Sequence, residues 1–417
     1  MTDRRTPVVL VSGWSDTADT AASLLTEGTV LVRHDLDHLR EGVVRRTVTT
    51  ADGLAETAVL ELAHGCVSCT LREDLLPLLR RLHTRGSVRR IALHLDRRLE
   101  PEAVCRAIED VHVSGVVGQL DGPASRDVRV EAVLTCVDAA TWLADATGVD
   151  ELGDRGLAAG ADDDRTVAQI VVGQVEFADG LVVGGRGVDG WSQARLHAVL
   201  TRLAPTAPID WIGDGLGPDA DGLLARLPAD ARRGAAADAH EPLLRGQPPL
   251  AADCGVSIVE FAAERPFHPQ RLHDAVDTLL DGVVTARGRL WLATQPEHVL
   301  WLESAGGGLR VGQAGRWLAA MTPAEQDEES ALRRALAALR WDERHGDRHT
   351  SLVVLACGAD PADIDRALQR ALVTDDELDR EATWASWPDP FADWHEDPCG
   401  EQALQELHTD THREDRT

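Results

Sequence analysis

Lysine is absent from all 417 residues, so every basic side chain other than histidine is arginine. Tyrosine is absent too, and composition bias accounts for both gaps. The missing amine still has a chemical consequence: any site that needs a lysine against phosphate cannot find one in this chain. No apolar stretch approaches the roughly 18 residues of a membrane span, which argues against a membrane partner. The opening Met-Thr-Asp-Arg-Arg-Thr-Pro runs straight into a strand pattern and has no signal-peptide core. Seven cysteines form no framework pattern, so thiols in a reducing cytoplasm are expected rather than disulfides.

What is present is acid. The formal net charge is −28, which repels phosphate backbones and attracts basic proteins, so direct nucleic-acid binding is not expected. Hydrophobic content of 43% and charged content of 27% are those of a globular chain, and its length points to two domains.

Strand and helix patterns alternate from Val8–Ser12 to Pro208–Ile212, which predicts a mostly parallel sheet covered on both faces. In this stretch Asp138 is read as the cap of a helix through Leu143, and 165–177 as helical. Residues 213–255 are rich in Gly, Pro, Ala and Asp and read as a linker with one helix at 220–227. From Val256 onward, strands (256–262, 289–294, 299–304, 350–357) grouped with helices (268–280, 323–340, 361–372) predict a smaller α+β domain, with Gly306-Gly307-Gly308 as a turn. The expected division is therefore 1–212, linker 213–255, 256–380 and an acidic aromatic tail at 381–417. Trp384, Trp387, Phe391 and Trp394 in that tail either dock a partner or fold back over the second domain.

The stretch that organises the first domain is His64-Gly65-Cys66-Val67-Ser68-Cys69, between a strand pattern and an amphipathic run from Leu71 to Leu82. Two thiols three apart, at the start of a helix that favours thiolate, can face one point, and His64 adds an imidazole. The reading is a metal turn for zinc with Cys66, Cys69 and His64 as ligands. Glu61, Cys105, Cys136 or water would complete the four a closed zinc site needs. A redox pair and two packed core thiols are the competing readings.

The first strand ends at Gly13, where a phosphate-binding loop would sit. Such a loop needs Gly-x4-Gly-Lys-Ser/Thr. Here Gly13 and Thr20 are in register, but Ala18 replaces the second glycine and Asp19 the lysine. A like charge about 4 Å from a phosphate costs about 4 kcal/mol at an effective dielectric near 20. Tight GTP binding at Gly13, Ala18, Asp19 and Thr20 is not expected, and no catalytic residue is assigned. His94-Leu95-Asp96 reads as a solvated strand end, and the run Asp162-Asp163-Asp164 as a helix cap before Arg165.

In the order of these motifs the chain resembles the CobW-like, zinc-linked GTPases. Gly65-Cys66-Val67-Ser68-Cys69 is similar to the family's Gly-Cys-x-Cys-Cys turn, with Ser68 at the middle cysteine. Val130 to Ala139 and Val175 to Asp179 are similar to its later strands, while Gly184-Gly185-Arg186-Gly187 stands where the family reads guanine with Asn-Lys-x-Asp. Ser257 to Arg265, Pro266-Phe267-His268-Pro269, Gly288 to Ala293, Gly315-Arg316-Trp317 and Thr374 to Glu377 resemble the family's C-terminal domain. The resemblance implies a P-loop-NTPase-like α/β domain followed by a CobW C-terminal-like α+β domain.

Arg72-Glu73-Asp74-Leu75-Leu76 and the lost nucleotide motifs resemble, more specifically, a branch tied to zinc starvation that recruits a ribosome hibernation factor. That likeness implies a zinc-responsive, non-catalytic adaptor for the small ribosomal subunit and a basic hibernation-promoting protein. The alternative is a GTP-dependent zinc metallochaperone, which would be a GTPase, and a scaffold that binds no metal is the third reading.

Overall fold

The computed structural model describes residues 3–14, 17–62, 66–160, 163–185, 188–213, 217–236 and 238–392. In the first domain β1 (Thr6–Gly13), α1 (Thr17–Ser23), β2 (Thr29–Asp35), β3 (Val43–Thr50) and β4 (Ala55–Glu61) lead into α2 (Val67–Thr70). A π-helical turn (Leu71–Leu75) joins α2 to α3 (Leu76–His83) without a break. Then come β5 (Arg90–His94), α4 (Pro101–Asp110), a small ribbon β6 (His112–Val113) and β7 (Gly122–Pro123), β8 (Val128–Asp138) and α5 (Trp142–Ala146). The domain closes with α6 (Val167–Glu176), β9 (Gly180–Gly184), α7 (Gly190–Leu203) and β10 (Ile209–Trp211), and α8 (Ala220–Ala225) follows.

Eight of these strands form one sheet in the order β10-β9-β8-β1-β5-β2-β3-β4. The first six are parallel; β3 pairs antiparallel with β2 and β4 antiparallel with β3, so β4 again runs in the direction of the first six. Val8, Val9, Leu10 and Val11 of β1 are all fully buried, as expected of a central parallel strand covered on both faces. The carboxyl ends of β1 and β5 and the end of β4 lie at one end of this sheet, so the turns after β1 and β4 share it.

The second sheet is antiparallel, in the order β11 (Val256–Ala263), β15 (Thr350–Cys357), β12 (Val283–Leu290), β13 (His298–Ala305), β14 (Gly308–Arg316). The remaining helices are α9 (Pro269–Ala275), α10 (Pro323–Glu328), α11 (Ala331–Ala338), α12 (Pro361–Ala371) and α13 (Asp375–Leu378). Val256, Val284, Ala305 and Leu355 of this sheet join Val171, Val175, Leu196 and Val199 of α6 and α7 in one buried cluster. The triple-glycine turn packs closely on the α5–α6 region of the first domain. Gly307 N–H donates to the Gly148 carbonyl at 2.9 Å, and a Cβ on Gly306 would lie 2.4 Å from that oxygen and 2.6 Å from Ala168 Cβ.

Several elements differ from their sequence reading. Asp138 does not cap a helix: its carboxylate accepts from Ala140 N–H at 2.9 Å in a tight turn, and α5 starts only at Trp142. The cap of α6 is Thr166, in a reciprocal box with Gln169, not the acidic run. Asp163 instead pairs with Arg165 at 2.8 Å, and Asp162 lies outside the described residues. The 323–340 helix is two, because Ser330 caps α11 afresh. The strand expected at 289–294 is β12, which starts at Val283, and the sequence pattern carries no sign of β14 because Gly308, Gly312 and Gly315 break its alternation.

The segment between the sheets is strapped down. Asp179 accepts from Arg233 N–H at 3.0 Å, and Arg289 donates to the carbonyls of Ala239 and Glu241 at 2.7 and 2.9 Å. Of the tail rings, Trp384 is buried and donates to the Glu377 carbonyl at 3.0 Å, Trp387 stacks on His268, and Phe391 packs on the second-domain core. These three fold back; Trp394 lies outside the described residues.

Candidate metal centre

Cys66 takes extended backbone angles and caps α2: its Sγ accepts from Cys69 N–H at 3.3 Å. Thr70 tightens the turn by donating its hydroxyl to the Cys66 carbonyl at 3.2 Å. A sulfur here stands in the usual place of a serine or aspartate cap, at the positive end of the helix. Both cysteines are part-exposed. His64 lies outside the described residues, and among those described no group of three His, Cys, Asp or Glu side chains converges as a metal site would.

The proposed completing thiols are elsewhere. Cys105 is fully buried in α4, where burial, then the Asp179 charge, pushes its thiol above the ordinary range. Cys136 of β8 is buried and donates to Thr20 Oγ1 at 3.3 Å. The described donor set supplies two of the four ligands of a tetrahedral zinc site: two soft, part-exposed sulfurs on one turn.

What supports this turn was not read from the sequence. Asp74, inside the π-helical turn, is buried and accepts from His34 Nε2 at 2.8 Å and from Arg46 Nη1. His34 is on β2 and Arg46 on β3, so one carboxylate ties the helix behind the cysteines to two strands. The sign of it was present: Asp74 falls on the stripe Leu71, Leu75, Leu78, where an acid must find partners. His34, His94, Val67 and Thr70 line a small apolar cavity under the turn.

The first turn is arranged otherwise. Gly13 adopts φ +145°, and a Cβ there would sit 2.5 Å from the Cys136 carbonyl, so the residue is fixed by close packing. Thr20 is buried, and its hydroxyl, which a working loop offers to magnesium, is taken by Cys136. Asp19 is exposed. Arg97 lies over the Trp14 ring with its guanidinium carbon 5.6 Å from the centroid.

The expectation of a solvated end at His94-Leu95-Asp96 is corrected. His94 is buried and shares a 2.6 Å hydrogen bond with Thr17. Burial, then the Arg33 charge, depresses its pKa to about 4. Burial alone would raise Asp96, but a two-pronged bond from Arg98, 2.7 Å on each oxygen, holds it below the ordinary value. In the turn after β9, Gly185 packs on Asp138, and Arg186 and Gly187 lie outside the described residues.

Comparison with known proteins adds identity to this geometry. Residues 34–209 match the model of the CobW/HypB/UreG nucleotide-binding domain, and residues 256–372 match the cobalamin synthesis protein cobW C-terminal domain. A zinc chaperone of Mycobacterium tuberculosis (strain H37Rv) is 52% identical, the alignment covering 95% of each chain. The chain belongs to the CobW family. The nucleotide-domain match begins at His34, beyond the altered first turn. This CobW protein is also similar to the zinc-regulated GTPase metalloprotein activator 1 of Dictyostelium discoideum, at 25% identity over 86% of this chain and 76% of that one. The solved Zn(II)-bound YjiA GTPase of E. coli shares 15% identity, with 88% and 99% of the two chains covered and a TM-score of 0.37. No helix among the described residues is long and apolar enough to cross a membrane.

Proposed function

We propose that this CobW-family protein is a zinc metallochaperone that takes its cargo at the Cys66–Cys69 turn. The observation that carries the reading is the sulfur cap: Cys66 occupies the helix-capping position with its Sγ on the Cys69 amide, and both thiols remain within reach of solvent. A half-complete thiolate site suits transfer, because an incoming client can supply the missing ligands. The 52% relative named a zinc chaperone supports the same assignment. His64 is proposed as the third ligand, from its place two residues before Cys66.

The first turn is proposed to contribute structure rather than tight triphosphate binding, since Asp19 replaces the lysine and the Thr20 hydroxyl is engaged by Cys136. The adaptor reading, in which the acidic surface binds a basic hibernation-promoting protein on the small ribosomal subunit, is second; its support is the net charge of −28. Co-sedimentation with purified small subunits is its test.

The metallochaperone reading is tested by titrating zinc against a competing chelator, with Cys66→Ser, Cys69→Ser and the double variant in parallel. One zinc per chain for the native protein, and affinity lowered by about 100-fold or more in the double variant, is expected. Undiminished zinc affinity in the double variant would remove the turn as the site.

A further inference from the structure

The second domain holds a group of buried polar atoms that the described chain leaves unsatisfied. Arg289 of β12 is 4% exposed. Its Nη1 donates to the carbonyls of Ala239 and Glu241 at 2.7 and 2.9 Å. Its Nε is buried with no acceptor, and Nη2 makes no hydrogen bond among the described residues. Nε and Nη2 form one edge of the guanidinium, and that edge grips an oxyanion through two parallel N–H bonds. The segment between the sheets thus fixes this arginine by one nitrogen and leaves its recognition edge without a partner.

Two more unpaired atoms lie beside it. His349 is two residues from Ser351, which pairs with Arg289 across the β12–β15 ladder. Its Nδ1 lies 2.8 Å from the Asp347 carbonyl, which only accepts, so the neutral ring carries its proton on Nδ1 and a bare lone pair on Nε2. That Nε2 is buried and unpartnered among the described residues. The Trp317 ring packs on His349 with centroids 5.3 Å apart; Trp317 is 1% exposed and its Nε1–H finds no acceptor there. Buried polar atoms are ordinarily paired, so three orphans on neighbouring side chains call for a group that supplies their partners.

The charge close to these atoms is positive. Burial, then the charge of Arg340, lowers the pKa of Arg289 to about 10. Burial is also the main cause at His349, whose pKa falls to about 4, and the charges of Arg289 and Arg340 add to it. Arg340, just past the end of α11, is exposed and has no acidic partner among the described residues. His240 and Arg333 stand near Gly315, 3.9 and 4.0 Å from where a Cβ on it would lie. The acids nearby are engaged elsewhere. Asp238, whose charge reaches Arg289, is exposed and accepts from His240 N–H at 2.7 Å. Asp347 accepts from the Leu318 and Ala319 amides at 3.0 and 2.9 Å, Glu241 pairs with Arg245, and Glu329 pairs with Arg333.

We propose that Arg289, Trp317, His349 and Arg340 form a binding site for a protonated tetrahedral oxyanion, either inorganic phosphate or a small phosphate monoester. The N–H groups of Arg289 and Trp317 meet its oxygens, Arg340 balances its charge from the solvent side, and the His349 lone pair accepts its remaining hydroxyl proton. A carboxylate or a sulfate ion brings no such proton near neutral pH. The helix α11 carries no buried side chain, so the side of the site next to Arg340 opens to solvent without uncovering core. None of these residues belongs to the cysteine turn, and the proposal does not depend on the zinc reading.

The test is isothermal titration calorimetry of the full chain in phosphate-free buffer near pH 6, where a phosphate monoester keeps part of its second proton. Inorganic phosphate, glycerol 3-phosphate, sulfate and acetate are titrated at equal ionic strength. One phosphate-bearing ion per chain, held at least about tenfold more tightly than sulfate or acetate, is expected. Arg340→Glu, at the surface, and Trp317→Phe, which keeps a ring and removes the donor, should each weaken that binding by about tenfold. Arg340→Glu should do so at unchanged melting temperature and unchanged zinc affinity. Tighter binding of inorganic phosphate than of the monoester would identify the free ion as the ligand, and the reverse a phosphorylated metabolite; both results support the site. No binding of either ion up to about 10 mM, or binding indifferent to both variants, would overturn the proposal and leave the orphan atoms to ordered water. Sulfate held as tightly as phosphate would overturn it as well, since the His349 lone pair would then take no part.

Discussion

After β1 and after β4 the chain turns into a helix at the same end of the same sheet, yet the polar atoms of the two turns are disposed differently. Around the first turn they are satisfied internally: Thr20 by Cys136, Thr17 by His94, Asp96 by Arg98. Asp19, exposed at this turn, has the wrong sign for phosphate. Around the second turn Cys66 Sγ carries the cap bond from Cys69 N–H, and the Asp74–His34–Arg46 cluster behind it carries the tie to the sheet, while both cysteines stay part-exposed. Bonding of this kind, set behind a turn, fixes its geometry as a second layer of contacts does behind metal ligands.

Four experiments bear on that contrast. The largest effect is expected at the support. Asp74→Ala leaves Arg46 and buried His34 without their carboxylate and should cost about 3–5 kcal/mol in chemical denaturation, whereas Asp19→Ala, being exposed, should fall within about 0.5 kcal/mol. Equal effects would abolish the distinction between the turns.

Next is acid. His94 has a folded pKa of about 4 against an ordinary 6.5, so the native state excludes a proton that the unfolded chain binds. Its contribution is intact above pH 6.5, declines as pH falls from 6.5 to about 4, and is flat below. The loss over that window is of order 3 kcal/mol, and His94→Gln should flatten that part of the stability–pH profile. An unchanged profile would mean that the first turn does not hold a neutral imidazole.

Smaller again is the cap. Cys66→Ala, in metal-free protein, should lower stability by about 0.5–2 kcal/mol, with Cys66→Ser recovering most of it while still failing to hold zinc. That split separates the sulfur's capping role from its proposed ligand role. The smallest effect is expected from Asp19→Lys. Ala18 and the engaged Thr20 remain, so affinity for a fluorescent GTP analogue should rise by less than about tenfold; a rise of a hundredfold would show that one charge alone disables the loop.

The parallel sheet was legible because its strands are short continuous apolar runs, and the strand–turn–helix around Cys66 and Cys69 because an alternating run precedes it and an amphipathic run follows. The support cluster was not, since His34, Arg46 and Asp74 are spread over 40 residues and meet only through the sheet. A polar strand end such as His94 gives no sign, in sequence, of the helix packed over it. Strand β14 was hidden by its glycines, and the tail rings could not be placed until the second sheet offered Trp291 and His268 to pack on. What sequence spacing transmits well is local; what it loses is any interaction closed by tertiary contact.

The π-helical turn at Leu71–Leu75 carries one consequence beyond holding Asp74. A wider turn of this kind holds one residue more than regular winding needs. Removing a single residue there would restore ordinary winding and leave the segments on either side in nearly their present relative orientation, because the wider turn absorbs the surplus residue. The sulfurs and the far end of α3 would keep their bearing. This segment can therefore lose one residue without turning the thiols away from the direction in which they now face.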